Sequence, residues 1–356
     1  MTIHAHHAWP GAPIALASAL LFGASTPLAK ALLADLSPFL LAGLLYLGSG
    51  IGLLLVGRIV GRSGEAPLRR ADLPRLAAVV LAGGVAGPAL LMLGLAVTPA
   101  STASLLLNLE GVLTIAVAWL VFRENVDLKV GIGAGAILAG AVVLSWQGDV
   151  RGAGWGAFLI AGACLAWAID NNLTRGLASA DPVAIATVKG LVAGTVNVAI
   201  ALAIASPPAL PSPAVVAAAG VIGFLGYGVS LALFVLALRH LGAARTGTYF
   251  SLAPFVGAVI GIAGFGEPVT LPFAAAAALM LAGLWLHLAE RHEHAHVHEA
   301  MMHEHRHVHD EHHRHAHGPG DPAGEPHSHV HAHARLVHRH PHYPDLHHRH
   351  GHAEKT

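Results

Sequence analysis

Glu110 is the residue whose type and position most need a chemical explanation. It stands in the apolar run "SLLLNLEGVLTIAVAWLVF", roughly eleven residues from either end, with Asn108 two positions before it and Thr114 one turn after it. At about 1.5 Å of helix per residue, that depth is near the centre of a bilayer. A charge there costs at least about 2.5 to 3.5 kcal/mol unless it is paired or wetted. A short carboxylate has no route to the interface, so Glu110 reads as a site for a proton, a cation or a substrate amine. A protonated, hydrogen-bonded structural Glu is the alternative. The segment "DNNLTR" puts Asp170 and Thr174 on one helical face, with Asn171 and Asn172 turned away from it. Lys189 lies at comparable depth on the next run, with Asn197 eight residues beyond it. Asp170 and Lys189 are therefore expected to pair, either to hold two helices together or to contact a solute. Lys30, about a turn from the end of the first run, either snorkels to the interface or faces the solute path. Glu124 and Glu267 sit at helix ends, where a cap or loop role is expected.

A second chemistry is written at the C-terminus. Of the 28 histidines, 23 fall between His292 and Thr356. His-x-His spacing puts His294, His296 and His298, then His303, His305, His307 and His309, then His313, His315 and His317, and finally His329, His331 and His333 within reach of shared metal ions. Two to four imidazoles suit Zn, Ni, Co or Cu. The segment has too few apolar residues to build a core, so it is expected to be disordered. Composition leaves open whether such a tail buffers or senses metal, delivers metal as cargo, or is a tolerated extension.

These groups need an apolar frame. The chain has 356 residues, 54% hydrophobic and 11% charged, where a soluble domain carries about a quarter charged residues. Ten apolar runs long enough to cross about 30 Å of hydrocarbon centre near residues 23, 48, 85, 110, 138, 164, 193, 226, 253 and 280. Short connections such as "ADLSP" and "AVTPA" make consecutive helices antiparallel neighbours. With the N-terminus inside, the inner loops collect Arg58, Arg62, Arg69, Arg70, Arg75, Arg123, Lys129, Arg175, Arg239, Arg245 and Arg291, and the outer loops hold little besides Arg151. Both termini are then cytoplasmic, in the cell (inner) membrane.

Two segments recur. "SLLLNLEGVLTIAVAWLVFREN" aligns with "GTYFSLAPFVGAVIGIAGFGEP" at an offset of 143, and "LSPFLLAGLLYLGSG" with "ADPVAIATVKGLVAG" at 144, matching Pro38 with Pro182 and Gly50 with Gly194. Five helices per copy is an odd number, so the second copy enters from the opposite side and the repeat is inverted, an arrangement that favours a solute site near the midplane. The expected fold is an all-α polytopic membrane protein of ten transmembrane helices in two inverted five-helix repeats, with a disordered cytoplasmic tail. Its parts are a short His-containing segment (1–12), a first repeat (13–147), a second repeat (148–290) and the tail (291–356).

On "LLFGASTPLAKALLADLSP", "LAWAIDNNLTRGLASADP", "FRENV" and "FGEPV" the chain resembles the EamA-like members of the drug/metabolite transporter superfamily. The resemblance spans residues 13 to 288 and implies a carrier, in a superfamily whose members move amino acids, nucleotide sugars, drugs and other metabolites. The family often has an Arg seven residues after the Pro that opens the second helix of each half; those positions are Leu45 and Lys189 here.

Enzyme signatures are missing. No glycine-rich stretch ends in Lys-Ser or Lys-Thr, no nucleophile elbow occurs, and no His-Glu-x-x-His lies on an apolar run. The only histidines between residues 13 and 290 are His240 and His287, so a membrane path of metal ligands is lacking. The leading expectation is a secondary carrier, more an exporter than an importer, for a small organic metabolite or drug-like solute. A divalent metal efflux protein fed by the tail and a non-transporting metal-sensing scaffold are the alternatives. No cofactor is required. Expected partners are the lipid bilayer, a small-molecule solute, divalent metal ions at the tail and, as one option, a second copy in a homodimer; nucleic acid is not among them.

Overall fold

The computed structural model describes residues 11–60, 68, 70–122, 128–146, 153–174, 177, 181–204, 211–288, 293–298, 301–307, 327–333 and 336–341. Its apolar part is helical throughout: α1 (Gly11–Leu32), α2 (Pro38–Val60), α3 (Leu73–Val79), α4 (Gly87–Val97), α5 (Ala100–Leu106), α6 (Leu109–Phe122), α7 (Leu128–Ser145), α8 (Ala153–Thr174), α9 (Pro182–Ile204), α10 (Pro213–Gly223), α11 (Ser230–Phe250), α12 (Ala253–Phe265) and α13 (Leu271–Leu288). Nine helical stretches among the described residues are long and apolar enough to cross a membrane, and all ten expected runs are helical. The difference is the last, Leu271–His287, which is apolar but shorter. Exposed Trp146 and Trp155 sit near helix ends, as aromatic side chains at a membrane interface do.

Four crossings are interrupted. A π-helical segment, Val80–Ala86, joins α3 to α4, and a second, Phe224–Val229, joins α10 to α11. They begin 144 residues apart, the offset of the aligned segments. Pro88 accounts for the first: it has no N–H to give to the carbonyl of Gly84, and its ring crowds that carbonyl, so the ladder widens ahead of it. The run containing Glu110 is also broken, at Leu107 and Asn108, between α5 and α6. Ser251 and Leu252 break the chain between α11 and α12 in the same way, again 144 residues on, just before Pro254.

Helices pack across the two sequence copies rather than within them. The pair α2 and α9 and the pair α7 and α13 are the most extensive contacts. α1 lies against α11 and α12, while α8 lies against α4 and α6. Glycine permits the approach of α2 to α9: a Cβ added at Gly190 would lie 2.7 Å from the backbone nitrogen of Gly50. Between α7 and α13, a Cβ at Gly133 would lie 2.7 Å from the carbonyl oxygen of Gly283. With no hydrophobic drive between helices in lipid, such close backbone packing supplies much of the cohesion.

The described residues of the tail form two short strand pairs. β1 (Glu293–His298) pairs antiparallel with β4 (Leu336–Pro341), and β2 (Met301–His307) with β3 (His327–His333). Backbone ladder bonds need no core, and His-x-His alternation has the two-residue period of a strand.

Candidate functional site

Glu110 does not sit in mid-helix as its run suggested. The break at Leu107 and Asn108 places it in the first turn of α6, where the amide ends of the helix favour negative charge. The break is made of three-residue hydrogen bonds: Leu107 N to Ser104 O (3.2 Å), Asn108 N to Leu105 O (3.1 Å) and Glu110 N to Leu107 O (3.1 Å). Asn108 stabilises it by donating its side-chain amide to Leu105 O at 2.8 Å, so this residue shapes the break.

Asn171 donates to Glu110 Oε1 at 2.9 Å and lies 3.5 Å from Thr114 Oγ1. At about 100° of rotation per residue, Asn171 falls on the side of α8 that carries buried Ile160, Cys164 and Trp167. Exposed Phe158, Leu165 and Ile169 point the other way. Asn171 is nevertheless exposed, and Glu110 beside it is only half buried. Their exposure therefore opens into the bundle and not onto lipid.

Asp170 turns to the other side of α8, as its spacing required. It is 3% exposed, forms an ion pair with Lys189 of α9, and accepts a hydrogen bond from Thr174 Oγ1 at 3.0 Å. Gly83 of the first π-helical segment lies against this carboxylate, and a Cβ there would collide with it. Asn172 is a packing residue: its amide donates to Thr114 O at 3.1 Å and to Ala168 O at 2.9 Å.

The π-helical segment is what this polar seam is built around. Asn197, fully buried, donates to Gly84 O at 3.3 Å and Val85 O at 3.4 Å, the carbonyls set free ahead of Pro88. Tyr46 Oη and Trp167 Nε1 both donate to Gly83 O at 2.9 Å. Tyr46 and Trp167 were missed in the sequence, although Pro88 behind a Gly-Gly pair signals carbonyls that need donors. Because two donors share one carbonyl, Tyr46→Phe or Trp167→Phe should each cost about 1 kcal/mol, while the double variant strands the carbonyl and costs about 1 to 3 kcal/mol more. Thermal unfolding of the purified protein checks this; simple additivity would contradict it.

The other copy lines its equivalent region with rings instead of charges. Tyr227, in the second π-helical segment, lies 5.6 Å from Tyr46 and 5.8 Å edge-on to Phe22, and Phe250 lies 5.2 Å from Phe22. The site thus has one polar and one aromatic flank, joined at Tyr46.

Lys30 neither snorkels freely nor reaches Glu110. Its ammonium donates to Leu95 O at 2.6 Å and Ala96 O at 3.1 Å, capping the C-terminal end of α4. Glu267 takes the cap role expected of it, accepting from Ala100 N at 2.7 Å and Ser101 N at 2.8 Å. Glu124 lies outside the described residues. His287 lies 3.0 Å from Val130 O and ties α13 to α7. No cluster of three or more His, Cys, Asp or Glu side chains that could hold a metal is found among the described residues. Of the tail histidines named above, His309, His313, His315 and His317 lie outside the described residues, and the others fall on β1, β2 and β3.

Three likenesses to known proteins bear on this fold and site. Residues 9–146 and again 154–289 match the model of the EamA-like transporter family. An uncharacterized transporter of Methanothermobacter thermautotrophicus is 31% identical over 288 residues, covering 76% of this chain and 84% of that protein. A solved crystal structure, 19% identical, superimposes with a TM-score of 0.58 over 78% of this chain and 95% of its own, a likeness of fold.

Proposed function

Because the chain belongs to the EamA-like transporter family, and is thus a multi-pass membrane transporter and not an enzyme, we propose that it is a secondary carrier for a small organic metabolite or drug-like solute. It works by alternating access, with Glu110 taking a proton or a solute amine. The observation that carries this reading is the exposure of Asn171, on the α8 face that carries buried Ile160, Cys164 and Trp167, beside half-buried Glu110. A carboxylate that accepts from a neutral amide, Asn171, suits an exchangeable positive partner. The aromatic flank of Phe22, Tyr227 and Phe250 offers an apolar wall to the rest of the solute. Export is the proposed direction, and the arginine-rich connections argue for cytoplasmic termini in the cell membrane.

The tail is proposed to bind Zn, Ni, Co or Cu without being the route of transport. In the strand register His303 faces His331, His305 faces His329, His307 faces His327, His294 faces His340 and His296 faces His338. Directly opposed positions lie about 4.5 to 5.5 Å apart at Cβ, the spacing at which two imidazoles can share an ion.

One comparison tests both statements: the full chain and a chain stopped after Arg291, each reconstituted in vesicles with a pH gradient and screened against organic amines and other metabolites. Both should dissipate the gradient with the same solutes, while only the full chain should retain Zn or Ni in equilibrium dialysis. A metal-specific growth defect shared by the null strain and the truncation, with no organic solute moved, would instead make metal the cargo.

A further inference from the structure

The turn between α4 and α5 is gripped from both sides by residues distant in sequence. Lys30, from the end of α1, holds the last carbonyls of α4, Leu95 O and Ala96 O. Glu267, from the connection between α12 and α13, holds the first amides of α5, Ala100 N and Ser101 N, with both carboxylate oxygens. Each charge meets the helix end of opposite polarity, the favourable arrangement at each terminus. Gly266, with φ of 64°, ends α12 in the left-handed conformation and turns the chain so that Glu267 can reach.

Burial differs on the two sides of the break at Leu107 and Asn108. Every residue of α5 is buried, whereas α6 carries half-buried Glu110 and exposed Gly111. α8 supplies the scale, because it runs antiparallel to α4. Gly156 of α8 lies beside Val97 and Thr98 at the gripped turn, Ile160 beside Gly94, and Trp167 beside Gly87. Asn171 is fifteen residues beyond Gly156, about 22 Å along the helix. The interior is therefore sealed at the gripped turn and open at the far end.

We propose that Lys30 and Glu267 form a releasable clamp that shuts one end of the carrier in this conformation, and that the opposite conformation requires both to let go of the turn. The inference rests on the alternating-access reading above. A second observation marks the closed end as poised to open. The hydroxyl of Thr98, buried at the centre of the gripped turn, has no hydrogen-bond partner among the described residues. Water reaching it on opening would satisfy it, so the shut form carries a penalty that the two charged caps outweigh.

The chain has a single cysteine, the buried Cys164, so Cys164→Ala gives a background free of thiols. Ser104→Cys then places a reporter on buried α5 and Asn171→Cys one at the open end. Both are labelled with a membrane-impermeant maleimide in right-side-out and inside-out vesicles, without any solute. In the parent background Ser104→Cys should react slowly from either side and Asn171→Cys readily from one side only. Lys30→Met or Glu267→Gln should raise Ser104→Cys labelling about tenfold, the order of one lost charged cap, from the side opposite to that which labels Asn171→Cys. Thr98→Val should move it the other way, below the parent rate, an effect that a loosened fold does not produce. Unchanged labelling in both charge variants overturns the clamp, as does an equal rise from both sides or a rise in Thr98→Val. Solute flux in the same vesicles is judged separately, so the clamp can fail while the carrier stands.

Discussion

Glu110→Gln should reduce solute-driven flux by about 10- to 100-fold while leaving the protein folded. The range is that of a charge-assisted interaction worth about 1.5 to 3 kcal/mol, at about 1.4 kcal/mol per tenfold. The substitution is informative because Gln keeps the oxygen that accepts from Asn171 at 2.9 Å and changes only the charge. Size, helix position and the break at Leu107 and Asn108 stay as they are. If Glu110 binds a solute amine, the variant loses affinity for amines and keeps whatever flux a neutral analogue supports. If it carries the coupling proton, the variant loses uphill accumulation but retains solute exchange. Counterflow and gradient-driven uptake in the same vesicles separate the two outcomes. Ordinary uphill transport by Glu110→Gln would remove this residue from the mechanism and leave it as a hydrogen-bonded structural acid.

Asp170→Asn and Lys189→Met should each destabilise the protein by about 3 to 5 kcal/mol, because each leaves one charge buried without its partner. The paired side chains are 5% and 19% exposed, so water screens them little. The double variant should recover much of the loss, since two neutral groups of similar volume in this seam cost little. Thermal unfolding in detergent measures all three. A double variant as unstable as the sum of the single ones would mean that Asp170 and Lys189 act through different partners. The pair also bears on the site, because Asn171 projects toward Glu110 from the residue next to Asp170. Loosening α8 against α9 should therefore shift Asn171 and raise the KM for the solute before it lowers the maximal rate.

How far the sequence could be read depended on whether a residue's partner was set by periodicity. Asp170 and Thr174 share a helical face by i, i+4 spacing, and their hydrogen bond follows from that alone. Asp170 and Lys189 lie at matching depths on consecutive runs, which is why their pairing was readable before any coordinates. Lys30 and Glu267 were harder. Depth and helix-end position identified a cation and an anion near the same surface, but not that they grip opposite ends of one turn, because their partners are backbone atoms 65 to 167 residues away. Asn108 was read as a pathway residue by its closeness to Glu110; that closeness did not reveal that its amide turns back onto Leu105 O, a local bond that competes with the helix ladder.

By itself, then, the sequence determined that most of this chain lives in lipid, that it crosses as helices in two related copies, and that a few polar residues had to be shielded from hydrocarbon. Composition and the approximately 30 Å thickness of the bilayer leave no other solution for the backbone. Only the tertiary structure decided which of those polar residues are satisfied and which remain open. Asp170, Asn172 and Lys30 are satisfied by partners on neighbouring helices, whereas Glu110 and Asn171 face interior space. The reason is that helical periodicity assigns a residue to a face. What stands opposite that face depends on how α1 and α8 insert against helices of the other copy, and on the breaks and π-helical segments that turn carbonyls and side chains out of the regular ladder.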